Sequence, residues 1–234
     1  MKLSSPKISI IIPVLNEEKC IARILSYLKA NSSSNYIEEI LVVDGGSTDN
    51  TAALALANNA VVISSEKGRA KQLNEGAKSA RGSILYFLHV DTLPPKNFDK
   101  SIIDAIRNGK EVGCFQMKFD SDSRFLNFFA WFTRFNLKLC RGGDQSLFIS
   151  NTLFSKTNGF NESYIIFEDN EFIARIYTMT QFTILPLHVK TSARRYEERG
   201  KYILQYHFGV IHLKNSLGAG PEKLYDYYKR KIAI

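Results

Sequence analysis

Four short, continuously apolar runs alternate with helix-patterned segments through the first 108 residues, and that alternation restricts the fold more than any other feature of the chain. Residues 7–14 (KISIIIPV) are β-branched and apolar throughout, the pattern of a strand buried on both faces. Segments 40–43, 60–63 and 84–88 repeat it. Between the first two runs, Ile21, Ile24, Leu25 and Leu28 recur at helical spacing behind Asn16, a residue able to cap a helix. Thr48 or Asp49 can cap a helix over 51–58, and 69–80 reads as a helix stopped near Gly82. Pro94 and Pro95 break the chain before a helix at 98–108. Strands alternating with helices predict an α/β fold, a mostly parallel sheet with helices on both faces. Right-handed crossovers make a Rossmann-type half the natural topology.

The remainder is less regular. Segments 112–119, 146–150 and 182–185 read as strands, and 168–179, 202–213 and 222–232 as helices. No repeat, low-complexity tract or linker interrupts the chain, so residues 1–234 are read as one domain with halves at 1–110 and 111–234. Lys plus Arg number 31 against 23 Asp plus Glu, a net charge of +8. That surplus suggests anionic partners without choosing among nucleic acid, membrane surfaces and phosphates. No nucleic-acid-binding motif accompanies it, so nucleic acid is not expected as a partner. Cys20, Cys114 and Cys140 are far apart and odd in number, which disfavours a disulfide framework or a structural zinc site. The apolar run at 8–15 is followed at once by Asn16, Glu17 and Glu18, unlike a secretory signal, and nothing approaches the length of a membrane span. A cytoplasmic address is the expectation.

Ligands of open α/β sheets bind outside the carboxyl ends of the strands. Asp44 and Asp91 fall there, directly after the second and fourth predicted strands, with simple loop or helix capping as the alternative reading. Gly45 and Gly46 allow a sharp turn and a close backbone approach to a ligand. Lys67, Gly68 and Arg69 precede a helix start, a combination suited to phosphate or simply to solvent. There is no GxGxxG fingerprint after the first strand and no P-loop.

Segments 8–17 (ISIIIPVLNE), 42–49 (VVDGGSTD), 68–77 (GRAKQLNEGA) and 87–92 (FLHVDT) closely resemble family 2 glycosyltransferases with the GT-A fold. Gly143-Asp144-Gln145, Glu168-Asp169 and Thr191-Ser192-Ala193-Arg194-Arg195 extend the match towards the small soluble radical-SAM/selenodomain-associated transferase subgroup. The resemblance implies transfer of one sugar from a UDP- or GDP-sugar, with inversion, to an acceptor hydroxyl that is not identified. It assigns the nucleotide to the 1–110 half and the acceptor to the 111–234 half. Pro13, Leu15, Asn16 and Glu17 would line the base and ribose, and Asp44 would contact one of them. Gly45, Gly46, Lys67, Gly68 and Arg69 complete the nucleotide site with His89, Val90 and Asp91, which stand at the family's DxD motif. Asp91 would hold Mg²⁺ or Mn²⁺, and His188 is the histidine offered as a second ligand, with a structural role as its alternative. Asp169 matches the catalytic base, with Glu168 its rival, and both can instead serve the positive end of the following helix. Asp144 and Gln145, with Arg194 and Arg195, are assigned to the diphosphate or acceptor; a turn and surface ion pairs are the bland alternatives.

His89 replaces the first acid of DxD, and the QxxRW motif of processive members is absent. The first departure leaves a non-catalytic nucleotide-sugar binder as an alternative. A sugar-nucleotidyltransferase is a weaker one, because its glycine-rich loop after the first strand is missing. The aromatic-basic stretch 123–141 is read either as core or as a helix facing a membrane or hydrophobic acceptor through Arg124, Arg134, Lys138 and Arg141. The tail 225–234 is read the same two ways. The oligomeric state is open.

Overall fold

The computed structural model describes residues 5–233; residues 1–4 of the single-domain reading and Ile234 of the tail lie outside them. Strand β1 (Ile8–Val14) pairs in parallel with β2 (Ile37–Asp44) and β4 (Ile84–Phe87), and β2 pairs in parallel with β3 (Val61–Ser64). Helices α1 (Glu18–Asn31), α2 (Thr51–Ala57) and α3 (Arg69–Ser79) connect them, as the alternation predicts. After the two-residue β5 (Thr92–Leu93) come α4 (Phe98–Arg107), β6 (Val112–Phe119) and α5 (Arg124–Trp131). Three short 3₁₀ turns lead into β7 (Leu147–Ser150), α6 (Asn151–Lys156), α7 (Glu168–Met179) and β8 (Thr183–Thr191). Helices α8 (Arg194–Arg199), α9 (Lys201–Ser216) and α10 (Pro221–Lys231) close the chain. The eight strands form one mixed sheet in the order β3-β2-β1-β4-β7-β6-β8-β5.

Side chains alternate across β1, and each face meets its own helices. Ile10 and Ile12 join Ile21, Leu28, Phe98 and Ile102 of α1 and α4 on one side. Ile11 joins Leu73 of α3 and Phe172 and Ile176 of α7 on the other. Full burial of each such side chain contributes about 1.5–3 kcal/mol. Helix α3 lies directly on the sheet because Gly76 has no side chain: a Cβ there would come within 2.5 Å of Ile11 and 2.9 Å of Val43.

Several expectations need correction. Asn16 does not cap α1; it sits at φ +55°, and its side-chain Oδ1 instead accepts from the Thr48 N–H at 2.8 Å. The strand expected at 182–185 runs on to Thr191, because β6 and β5 supply partners along its polar second half. Strand β5 and helices α6 and α8 were not anticipated. In the aromatic-basic stretch, Arg141 is 3% exposed and donates to the carbonyls of Thr133 and Phe135, so it does not face outwards with the other cations. Leu224 of the tail helix α10, with Ile232 just past its end, packs against Leu204 and Ile211 of α9, as the core reading of the tail expects.

Candidate active site

The loops after β1 and β2 are stitched together by short polar side chains. Asp44, the last residue of β2, accepts from the Ser47 N–H at 3.1 Å and from the Ser47 hydroxyl, which folds Asp44-Gly45-Gly46-Ser47 into a tight turn. Ser47 Oγ accepts from the Asn16 N–H at 2.9 Å, and Thr51 Oγ1 from the Glu17 N–H at 2.7 Å. Beneath them Gln72 donates to the carbonyls of Val14 and Val43, each at 2.8 Å. A Cβ on Gly45 would lie 3.0 Å from the Gln72 side chain, so this backbone is packed from below. Pro13 and Leu15 are half-buried beside this turn, and Lys67 is exposed one residue before Gly68, the residue preceding α3.

The third loop follows β4. The carbonyl of Asp91 accepts from the Ser192 N–H at 3.2 Å, and the hydroxyls of Thr92 and Thr191 are 3.0 Å apart. These contacts bring the end of β8, and hence Arg194, to the loop carrying Asp91. Glu17 shares this neighbourhood. Burial raises its carboxyl above the usual range; Arg194 opposes the rise, and Asp91 and Asp49 add to it. Val90 is 8% exposed and belongs to the apolar core, so only its backbone can serve a ligand.

A second charged group adjoins it. His89 Nδ1 lies 3.4 Å from Asp144 Oδ1, and Arg69 Nη1 lies 3.3 Å from Glu168 Oε1. Withdrawal from water works to raise the Asp144 carboxyl, but the bond and charge of His89, with Arg69 and Arg195, bring it below the usual range. Glu168 is 1% exposed; burial raises its carboxyl, Arg69 offsets part of the rise, and Asp169 adds to it. Among the described residues its Oε2 has no hydrogen-bond partner. Asp169 Oδ2 accepts from the Gly143 N–H, and Oδ1 from the Asn170 N–H at 2.7 Å. Those two donors fix the orientation of the carboxylate. Gly143 cannot be replaced without movement: a Cβ would stand 2.1 Å from Asp169 Oδ2 and 2.9 Å from His89 Cε1. Phe167, at φ +70°, turns the chain into α7 and sets Glu168 and Asp169 in its first turn.

Most of the anticipated residues therefore line one edge of the sheet, where the loops after β1, β2 and β4 meet the starts of α3, α7 and α8. Two do not fit their assigned roles. Gln145 is 4% exposed, and its amide is engaged inside the protein, donating to the Cys140 carbonyl at 2.7 Å and accepting from the Cys114 thiol at 3.3 Å. His188 lies on β8 opposite Gln116, and its charged neighbours are Lys118 and Arg134. Burial and those two cations lower its basicity, a setting that repels a metal ion, and they separate it in role from Asp91. Arg195 donates to the Tyr228 hydroxyl at 2.8 Å, which ties the site to α10. Tyr196 was not anticipated; burial raises its phenol, Asp144 adds to the rise and Arg195 opposes it, and its hydroxyl donates to Gln205 of α9 at 3.1 Å. No spacing pattern marks it in the sequence.

Among the described residues, no three His, Cys, Asp or Glu side chains group closely enough to enclose a metal ion. A carboxylate such as Asp91 still fits a hard divalent cation of the magnesium kind, which takes one or two protein carboxylates and completes its shell with phosphate oxygens and water.

Residues 9–167 match the family model described as Glycosyl transferase family 2. Glucosyl-3-phosphoglycerate synthase of Petrotoga mobilis is 29% identical over 127 residues, covering 49% of this chain and 39% of the relative. Dolichol-phosphate mannosyltransferase of Pyrococcus furiosus is 32% identical over 113 residues, covering 45% and 32%. The matched region thus spans about two fifths or less of these curated relatives. Among solved structures, glucosyl-3-phosphoglycerate synthase from Mycobacterium tuberculosis, in complex with Mn²⁺, UDP and glucosyl-3-phosphoglycerate, superposes with a TM-score of 0.60 at 18% identity, covering 79% of this chain and 71% of that one. S. aureus TarS 1-349 with UDP-GlcNAc gives 0.66 at 22% identity, covering 80% and 58%. These likenesses establish a GT-A-like α/β fold with a mostly parallel sheet.

Proposed function

The chain belongs to glycosyl transferase family 2, and from that premise we propose that it moves one sugar from a UDP- or GDP-sugar to an acceptor hydroxyl with inversion at the anomeric carbon. The observation that carries this reading is the meeting of Asp91, Glu17 and Arg194 with the His89–Asp144, Arg69–Glu168 and Gly143–Asp169 contacts at one sheet edge. The motif set, extended by Gly143-Asp144-Gln145, Glu168-Asp169 and Thr191-Ser192-Ala193-Arg194-Arg195, supports the small soluble radical-SAM/selenodomain-associated subgroup. The free thiols of Cys20, Cys114 and Cys140 suit work in a reducing cytoplasm.

Asp44 and the stitched turn around Gly45 and Gly46 receive the nucleoside, with Pro13, Leu15, Asn16 and Glu17 on the other side. Asp91 would hold Mg²⁺ or Mn²⁺, and such an ion would supply neutralising charge to the leaving diphosphate. Two relatives have been solved with Mn²⁺ or Mg²⁺ and UDP, or with UDP-GlcNAc, which supports this choice of donor and cation. Arg194 and Arg195, with Lys67, offer donors to phosphate oxygens. Arg69 is already engaged with Glu168 and acts by keeping that carboxylate in place.

In the transfer step the acceptor oxygen bonds to the anomeric carbon as the carbon–oxygen bond to the diphosphate breaks. Asp169 takes the acceptor proton, and the nucleoside diphosphate departs with the bonding electron pair. The Gly143 N–H fixes Asp169 for that task. Glu168 is the weaker choice of base, because it is almost wholly enclosed and turned to Arg69. A non-catalytic binder remains the second reading because His89 is held by Asp144 where the family has an acid. Incubation with each nucleotide sugar and Mn²⁺ separates the two: the enzyme releases nucleoside diphosphate and free sugar to water, while a binder releases neither. Pyrophosphate release would instead support nucleotidyl transfer.

A further inference from the structure

We propose that the joint face of α5 and α9 docks the protein onto a bilayer containing anionic phospholipid. An unbroken series of aromatic rings runs across it. Tyr202 meets Phe125 with centroids 4.5 Å apart, Phe125 meets Phe129 at 5.0 Å, and Phe128 meets Phe132 at 5.1 Å. Trp131 and Phe135 continue it at 4.9 Å. Much of this apolar surface stands in water: Phe128 is 58% exposed, Trp131 45%, Tyr202 62% and Tyr206 66%. An apolar cavity of about 590 Å³ opens between Phe125 and Phe129 on one side and Tyr206 and Leu213 on the other. Contiguous exposed patches of this kind mark interaction sites in soluble domains.

Charge selects the occupant. No acidic residue occurs from Arg124 to Arg141 or from Arg199 to Leu217. Cations sit beside the rings: exposed Arg134 lies 4.8 Å from the Trp131 ring centroid and half-buried Lys201 lies 5.4 Å from that of Tyr202. Aromatic residues flanked by Lys and Arg, with no carboxylates, match the interface of an anionic leaflet, where rings settle among the headgroups and cations meet lipid phosphate. A second copy fits poorly, because a self-complementary contact would set these cations against their own kind with no carboxylate in either segment to pair them. The face adjoins the site on its acceptor side through Tyr196, which donates to Gln205 at the cavity wall. Docking is read without donor or acceptor, so it stands or falls independently of the transfer reaction.

The chain's single tryptophan is Trp131, which makes its fluorescence a direct probe of this face. The full chain is mixed with vesicles of phosphatidylcholine alone, or of phosphatidylcholine with phosphatidylglycerol, at low and high salt. The expected result is a blue shift of Trp131 emission and co-sedimentation with the anionic vesicles, weakened by salt and small with phosphatidylcholine alone. Phe128→Ser with Tyr206→Ser changes only exposed side chains of this face; it is expected to leave the melting temperature unaltered and to weaken vesicle partition about tenfold. Arg134→Gln with Lys138→Gln should remove the preference for anionic vesicles. Absence of both the shift and sedimentation on anionic vesicles overturns the proposal. So does a concentration-dependent dimer, abolished by the Phe128→Ser with Tyr206→Ser variant, in a protein that ignores vesicles.

Discussion

The two halves of the molecule solve different problems. In the first, β1 is sealed on both faces, with Ile8, Ile10, Ile11 and Ile12 all at 0% exposure, and the loops at its end are tied to one another through Asn16, Ser47 and Thr51. In the second, α5 and α9 leave large apolar side chains in water, and β8 keeps few of its residues buried. A rigid frame with a fixed loop edge suits a ligand part shared across a family, the nucleotide. A less enclosed half suits the variable partners, the acceptor and whatever surface presents it. The carboxylates of Glu168 and Asp144 sit at the seam, borrowed from the second half but held against the first by Arg69 and His89.

The sharpest way to break that contrast is at the seam. Asp169→Asn is expected to lower kcat by about 10²–10⁴-fold while donor binding is kept. If Asp169→Asn turns over normally and Glu168→Gln does not, the base is the neighbour. Gly143→Ala drives a methyl group into Asp169 and His89, and should lower kcat by about tenfold or more with little change in donor affinity, since it misplaces the base without touching the nucleotide loops.

Arg69→Gln tests the tie between the halves. Glu168 binds its proton more tightly folded than unfolded, so its contribution to stability is complete in acid and declines as pH rises through its raised folded value. Removing Arg69 deepens that decline. The variant should lose about 1–3 kcal/mol near pH 8 and much less near pH 5, read from melting temperatures at both. Gly76→Ala compares the frames directly. Its methyl would press Ile11 and Val43, at a cost of about 1–3 kcal/mol, whereas exposed Leu139→Ser should stay within about 0.5 kcal/mol.

The same contrast explains what could be read from the sequence. Runs such as 84–88 announce doubly buried strands because nothing polar interrupts them, and Asp44 and Asp91 could be located simply by standing after two of these. Strand β8 was cut short because Pro186, His188 and Lys190 break the apolar pattern; pairing with β6 and β5 holds it extended. That β7 would enter antiparallel between β4 and β6 is a long-range choice with no local mark. The Arg69–Glu168 pair joins residues 99 apart, and the need for glycine at 143 arises only once Asp169 and His89 close on it. Gln145 and His188 carry the right chemistry for a site, but burial and cationic neighbours give them other work.

Thermal shift with UDP- and GDP-sugars, with and without Mn²⁺, tests the central claim most directly, because a ligand bound only by the folded state raises its stability by mass action. At least one nucleotide sugar should raise the melting temperature, more with Mn²⁺ than without, and Asp91→Ala should abolish the metal-dependent part. No shift from any nucleotide sugar with Mn²⁺ present, or a metal-dependent shift untouched by Asp91→Ala, would contradict it.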